Sequence, residues 1–297
     1  MKKLLFLKKL LTTMTLLRID DFLKIDNMKN CKLEKSNFRF AFYLLTKEKR
    51  IAISNFYLLC SYLDNIVDNN DANIVERQER LKHWKGIIVK LCSNDNDNSL
   101  QILSPLKDVF NKYAIPNELI YVLVDGIGSD LKRNRYNTFD ELLEYCYGVA
   151  SVVGLICMYI FTDNNLNENL KNYAINLGYA LQITNIIRDV GEDFKRNFIY
   201  IPQDLLTKFN YTEQDIANNI YNKNFYDLMN HLYEKAHYYY DTANTFSKNE
   251  NKNMLKSAEG MKNIYFKLLQ KIKKNNFHIY EKKIRINNLQ KILLLLK

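Results

Sequence analysis

At 297 residues with three prolines and eight glycines, the chain has too few turn formers for a hairpin-rich β protein, and its 47% apolar content excludes a disordered one. The net charge of +10 suits nucleic acid, anionic lipid or a polyanionic substrate, but no RNA-binding aromatic signature or zinc-finger spacing accompanies it, so nucleic acid is set aside as a partner. Five cysteines, an odd number with no C-x-x-C pair, argue against a disulfide framework and for a reducing, cytoplasmic setting.

The chain starts with a lysine-flanked apolar run, Leu4 to Leu7, which Lys8 and Lys9 interrupt and no small-residue cleavage site follows. Residues 1–30 therefore read as a basic amphipathic extension, suited to helix end-packing or to peripheral contact with a membrane surface. The rest, 31–297, reads as one all-α domain. Phe38, Ala41, Phe42 and Leu45 keep helical spacing, and Ile51 to Val67 forms a long apolar helix. Ser93–Ser99 is a loop rich in Asn and Asp. Pro116 precedes a helix start, and Thr138 and Glu141 have the spacing of a capping box for a helix carrying Tyr145 to Ile160. Leu170 to Val190 is another long helix. Phe198 to Pro202 breaks the pattern, Thr212 opens the next element, and Phe225 to Ile272 is helical throughout. The apolar Ile292 to Leu296 is too short to cross a bilayer.

Two polar clusters interrupt these apolar helices. Asp64 and Asp68, four residues apart, project from one helical face about a turn apart and repel unless a cation lies between them. Oxygen ligands of this kind suit Mg²⁺, although solvated acidic faces have the same spacing. In the second cluster Asn185, Asp189 and Asp193 share one stripe. Gln182 lies one turn earlier, and Arg188 sits beside the stripe, where a guanidinium can grip phosphate oxygens. A polar face paired with lysines accounts for the same pattern, but an amide and two acids among Leu181, Ile183, Ile186 and Ile187 are costly to bury without a partner. Together the clusters suggest facing helices that hold Mg²⁺ against a diphosphate.

The run from Gln182 to Asp193, followed by Ile199-Tyr200-Ile201-Pro202, resembles the second aspartate-rich signature of the squalene/phytoene synthase family. Tyr145-Cys146-Tyr147-Gly148-Val149-Ala150-Ser151-Val152-Val153-Gly154 is similar to a second signature of that family. The resemblance, which extends from about Ser36 to Lys282, implies an isoprenoid synthase helical bundle with a central prenyl-binding cavity. It also implies Mg²⁺-dependent head-to-head joining of two prenyl diphosphates, with NADPH needed only if the product is squalene. Asp64, Asp68, Asn185, Asp189 and Asp193 are thereby implied as metal ligands. Ser36, Asn37, Tyr57, Gln182, Arg188 and Tyr265 are implied at the substrate, with Tyr147 and Arg188 in catalytic positions. Gly148, Ala150, Ser151 and Gly154 are expected beside the prenyl chains, or in close helix packing.

The chain departs from the family pattern at four places. Ser61 stands where an arginine is usual, Asn37 replaces a diphosphate-binding serine, Phe198 replaces another arginine, and Asn65 replaces the middle aspartate of the first motif. Lys35, Arg50, Lys195 and Arg196 are candidates to supply the lost positive charge. Phytoene from two geranylgeranyl diphosphates is the favoured product. Farnesyl-derived presqualene diphosphate, squalene or dehydrosqualene is the alternative, and a non-catalytic helical scaffold is a third reading. Phe42, Leu155 and Ile156 are candidates for the cavity floor.

Overall fold

The computed structural model describes residues 41–69, 71–93 and 98–295. The proposed 1–30 extension, Cys31, Lys35, Ser36 and Asn37 lie outside them. Among the described residues the structure is helical throughout, apart from one isolated parallel bridge between Arg135 and Ile199.

The helices start where polar side chains can satisfy the first free N–H groups. A 3₁₀ turn, Phe42–Leu44, ends at extended Leu45, and Thr46 then caps α1 (Lys47–Val67). The expected spacing through Leu45 therefore does not run on into α1. Asn73 and Glu76 form a capping box at α2 (Ile74–Cys92), with bonds of 3.0 and 3.1 Å. Two shorter helices follow, α3 (Ser104–Lys112) and α4 (Asn117–Ile127), the latter entered through Pro116. At α5 (Phe139–Cys146) Thr138 accepts from the Glu141 N–H at 3.2 Å. The Glu141 carboxylate takes the Asn137 N–H at 2.8 Å instead, so the expected box is displaced by one residue.

Helix α5 passes through a π turn, Tyr147–Ser151, into α6 (Val152–Phe161). By length and composition the joined segment Phe139–Phe161 could cross a bilayer, but half of its most apolar stretch is buried within the protein, where packing accounts for its hydropathy. Helix α7 (Glu168–Lys195), about 42 Å long, is the spine of the bundle. It packs along α10 (Lys223–Ser247) on one side and against the π turn and α6 on the other. Small residues permit that second contact: a Cβ on Gly178 would stand 2.5 Å from the Ser151 Cα, and one on Gly154 would stand 3.0 Å from the Ala174 carbonyl oxygen. The Ser151 hydroxyl donates to the Ile175 carbonyl at 2.8 Å across the same seam.

At the end of α7 Asn197 takes φ 65°, a conformation asparagine tolerates, and turns the chain back. Ile199 N–H then donates to Asn134 at 3.0 Å and Gln203 N–H to Tyr136 at 2.8 Å, tying this break to the loop before α5. Short helices α8 (Gln203–Lys208) and α9 (Glu213–Ala217) lead into α10, and α9 carries a Thr212–Asp215 capping box. Next come α11 (Lys252–Lys274) and α12 (Asn288–Leu295). One contiguous apolar core joins them, with Tyr62, Trp84, Tyr173 and Tyr240 fully buried.

Candidate active site

The last turn of α1 faces the second half of α7 across a cleft of about 240 Å³. Asp64 and Asp68 line one wall, and Gln182 and Arg196 the other. Arg196 forms an ion pair with Asp68 across it. A third carboxylate, Asp130, enters from the 3₁₀ turn Gly128–Leu131 that follows α4, and Tyr145 and Tyr200 complete the lining.

Asp130 was not indicated by any motif or periodicity. The Tyr200 hydroxyl donates to its Oδ2 at 3.0 Å and the Tyr145 hydroxyl at 3.3 Å, while its buried Oδ1 has no hydrogen-bond partner. Burial pushes its carboxyl up to about 6, the charge of Asp68 adds to that, and the two phenolic hydrogen bonds oppose it. Tyr136, Tyr145, Tyr200 and Phe198 stack in sequence beside it, with ring centroids 5.0–5.8 Å apart. Phe198 is therefore part of an aromatic layer, and the Arg196 guanidinium lies 5.8 Å from its ring.

Further along α7, Asp189 is held by its own neighbour. Arg188 Nε donates to it at 2.7 Å, Arg188 Nη2 bonds its other oxygen, and Lys283 approaches at 3.1 Å. Burial works against the Arg188 charge, and the hydrogen bond and charge of Asp189 outweigh it. Lys283 also bonds Glu192 at 2.6 Å. It was missed because it lies in a tail without helical periodicity. Asp193 sits one turn beyond Asp189, and burial together with the Asp189 charge pushes its carboxyl up to about 7. A site that raises acids in this way favours added positive charge.

Asn185, one turn before Asp189, carries the most informative polar atom. Its Nδ2 donates to Gln182 Oε1 at 3.4 Å, but its Oδ1 is buried with no hydrogen-bond partner. An orphaned acceptor in line with two acids is the donor set a hard divalent cation takes. Among the described residues no three acidic, His or Cys side chains form a ready metal cage. Asp64 and Asp68 lie at the end of α1 while Asp189 and Asp193 lie on α7 outside the lining of the cleft, so phosphate oxygens would have to complete the coordination.

Beyond Gln182 the polar cleft meets an apolar cavity of about 150 Å³, with Gln182 and Val149 on the walls of both. Ala150, Val153 and Gly154 line one side, Leu177 and Leu181 of α7 another, and Met261 and Tyr265 of α11 a third. Ala150 and Gly154 thus face the cavity, whereas Gly148 and Ser151 are buried in helix contacts. Phe161 also contributes to the lining. Phe42, Leu155 and Ile156, the expected floor, are buried but are not part of it.

The structure brings together Asp64, Asp68 and Gln182 at the cleft and Gln182, Asn185 and Tyr265 at the cavity. Tyr147 lines neither, because it is two residues from Tyr145, and residues two apart on a helix do not share a face. Tyr57 is half-buried, its ring 6.2 Å edge-on from Phe42. Arg50 donates to the Leu45 carbonyl at 2.9 Å and lies over the Tyr43 ring, stabilising the start of α1. Ser61 is buried, and its carbonyl accepts from Asn65 Nδ2 at 2.6 Å, so Asn65 turns back onto its own helix.

A sequence profile of the squalene/phytoene synthase family matches residues 32–290. The phytoene synthase of Arthrospira platensis is 30% identical over 285 residues, covering 91% of each chain. The 15-cis-phytoene synthase of Synechococcus elongatus is 28% identical over 278 residues, covering 89% of each. Chloroplastic phytoene synthase 1 of Zea mays is 29% identical over 269 residues, and this chain spans 65% of that protein's length. Among solved structures, a dehydrosqualene synthase in complex with a ligand superposes with a TM-score of 0.77 at 22% identity, covering 93% of this chain and 92% of the other. A squalene synthase from Alicyclobacillus acidocaldarius superposes with a TM-score of 0.74 at 18% identity, covering 81% and 89%. With the profile matching most of its length, the chain belongs to the squalene/phytoene synthase family.

Proposed function

We propose that this protein is a prenyltransferase that joins two prenyl diphosphates head to head, with two geranylgeranyl diphosphates giving phytoene as the preferred reaction in carotenoid biosynthesis. The observation that carries the reading is the junction at Gln182, where a carboxylate-lined cleft opens into an apolar cavity. A diphosphate headgroup suits the first compartment and a prenyl tail the second. The phytoene synthase relatives support the choice of reaction.

In the first step one allylic C–O bond breaks, the double bond of the second substrate attacks the cation, and a cyclopropyl diphosphate forms with loss of pyrophosphate and a proton. Loss of the second pyrophosphate, rearrangement and a second proton loss give phytoene; hydride from NADPH in place of that proton loss would give a squalene-type product. Asp64 and Asp68 at the end of α1, and Asn185, Asp189 and Asp193 of α7, are the residues that would hold Mg²⁺, which when bound supplies charge neutralisation for the departing pyrophosphate. Arg188 and Lys283 hold Asp189 in position through a bidentate hydrogen bond and an ion pair. Gln182 and Tyr265 sit where headgroup and tail meet, and the apolar walls of the cavity keep water from the cation. Ser36, Asn37 and Tyr57 complete the proposed substrate contacts. The division into a 1–30 extension and a 31–297 catalytic domain belongs to the same proposal, as does a cytoplasmic enzyme touching the membrane surface through its ends.

The test is incubation of purified protein and Mg²⁺ with geranylgeranyl or farnesyl diphosphate, with and without NADPH, beside an Asp64→Ala/Asp189→Ala double variant. A Mg²⁺-dependent C40 hydrocarbon that the variant does not form supports the proposal. A C30 product transfers it to the farnesyl branch. No turnover of either substrate overturns it in favour of a scaffold.

A further inference from the structure

A second cleft, of about 560 Å³, opens beside the carboxylate cleft and shares Val67, Asp68, Asp130 and Arg196 with it. Its lining includes five basic side chains, Arg77, Lys132, Arg133, Lys195 and Arg196, against two carboxylates, the shared Asp68 and Asp130. These five come from three separate segments: α2, the loop after the Gly128–Leu131 turn, and the end of α7. No helical stripe places them together; the fold does.

Two of them are held in place by the fold. Arg77 Nη1 donates to the Val67 carbonyl at 2.8 Å, and its buried Nε has no hydrogen-bond partner. The Arg133 guanidinium lies 4.6 Å over the Tyr136 ring. Lys132 and Lys195 are exposed, and neither has an acidic partner among the described residues. Arg196 stands at the boundary, bonded to Asp68. A multiply charged anion leaving the carboxylate cleft would meet this basic lining at the Asp68–Arg196 pair, which both clefts share, and fields of this kind steer small charged ligands.

We propose that this basic cleft binds a diphosphate group, either pyrophosphate released by the reaction or the headgroup of an incoming substrate. The inference rests on the prenyltransferase reading for its ligand, but its test does not require turnover.

The exposed lysines are the positions to change, since neither is packed in the core. Lys132→Gln, Lys195→Gln and the double variant are compared with the wild type by calorimetric titration of inorganic pyrophosphate in Mg²⁺, without prenyl substrate, and then by steady-state kinetics. The double variant is expected to weaken pyrophosphate binding about tenfold, the effect of losing charge-assisted hydrogen bonds. A rise confined to the pyrophosphate inhibition constant assigns the cleft to the product; a parallel rise in KM assigns it to the incoming headgroup. Unchanged pyrophosphate binding and unchanged kinetics in a folded double variant overturn the proposal while the catalytic reading stands. Lysine-dependent pyrophosphate binding by a protein that turns over neither substrate would leave the cleft in place and sink the catalytic reading.

Discussion

Asn185→Leu separates a metal ligand from a structural amide. In the structure the Asn185 carbonyl oxygen is buried without a hydrogen-bond partner, and its amide makes only a 3.4 Å contact with Gln182. An orphaned buried acceptor costs about 1–3 kcal/mol, and the weak amide contact offsets little of that. Leucine keeps the branched side-chain shape with the same number of heavy atoms and suits the wall, where Leu181 and Tyr265 already line the cavity. The metal-free variant should therefore be more stable than the wild type by about 1–3 kcal/mol. At roughly 2 °C per kcal/mol for a chain of this size, that is a rise of roughly 2–6 °C in Tm. The assay is thermal unfolding in EDTA and in Mg²⁺ with inorganic pyrophosphate. The wild type should gain stability on adding the ion and the anion, and the variant should lose most of that gain. A variant destabilised in EDTA, or one that gains as much from Mg²⁺ as the wild type, would refute the ligand assignment.

Gly178→Ala places a Cβ 2.5 Å from the Ser151 Cα and 2.6 Å from its nitrogen, against backbone that has no rotamer to yield. The overpacking cost of about 1–3 kcal/mol exceeds the helix-propensity gain of about 1 kcal/mol, so Tm should fall; an unchanged or raised Tm would contradict the close seam. Asp193, raised to about 7 by burial and by Asp189, contributes to the metal-free protein a stability that is fully present below the unfolded carboxyl value near 4 and is lost as pH rises through 7. Asp193→Asn should remove this loss: in EDTA its Tm advantage over the wild type should be larger at pH 8 than at pH 5, and an equal difference at both would count against it. Phe161→Leu, which trims one bulky side chain from the cavity lining, should shift a mixed-substrate reaction towards the longer prenyl chain, as read by product chromatography. An unchanged product ratio would place the chain-length limit elsewhere.

The helices were legible because apolar residues recur at helical spacing and caps stand where the backbone needs acceptors: Thr138 and Thr212 each accept from an N–H of the first turn. The aspartate stripes were legible for the same reason, since one helix carries each set. Tyr145 could have been preferred to Tyr147 on spacing alone, because Tyr145, Val149, Val153 and Cys157 fall four apart and all face the cleft or the cavity. Asp130 was not legible. It stands alone before a basic run, and only the turn after α4 carries it to Asp68.

Local spacing along single helices determined the all-α fold, the pairing of Asp64 with Asp68, and the stripe from Gln182 to Asp193, because side-chain direction on a helix follows from position in the chain. The tertiary structure decided what those stripes face. Packing α7 through Gly178 against the π turn places the mouth of an apolar cavity beside Gln182. The turn at Asn197 brings Arg196 to Asp68 and stacks Phe198 on Tyr200. Lys283 reaches Asp189 from 94 residues away in the chain, and Arg77 joins Lys195 on one wall from different helices. Such contacts depend on the distance between elements in space, which no periodicity within an element encodes.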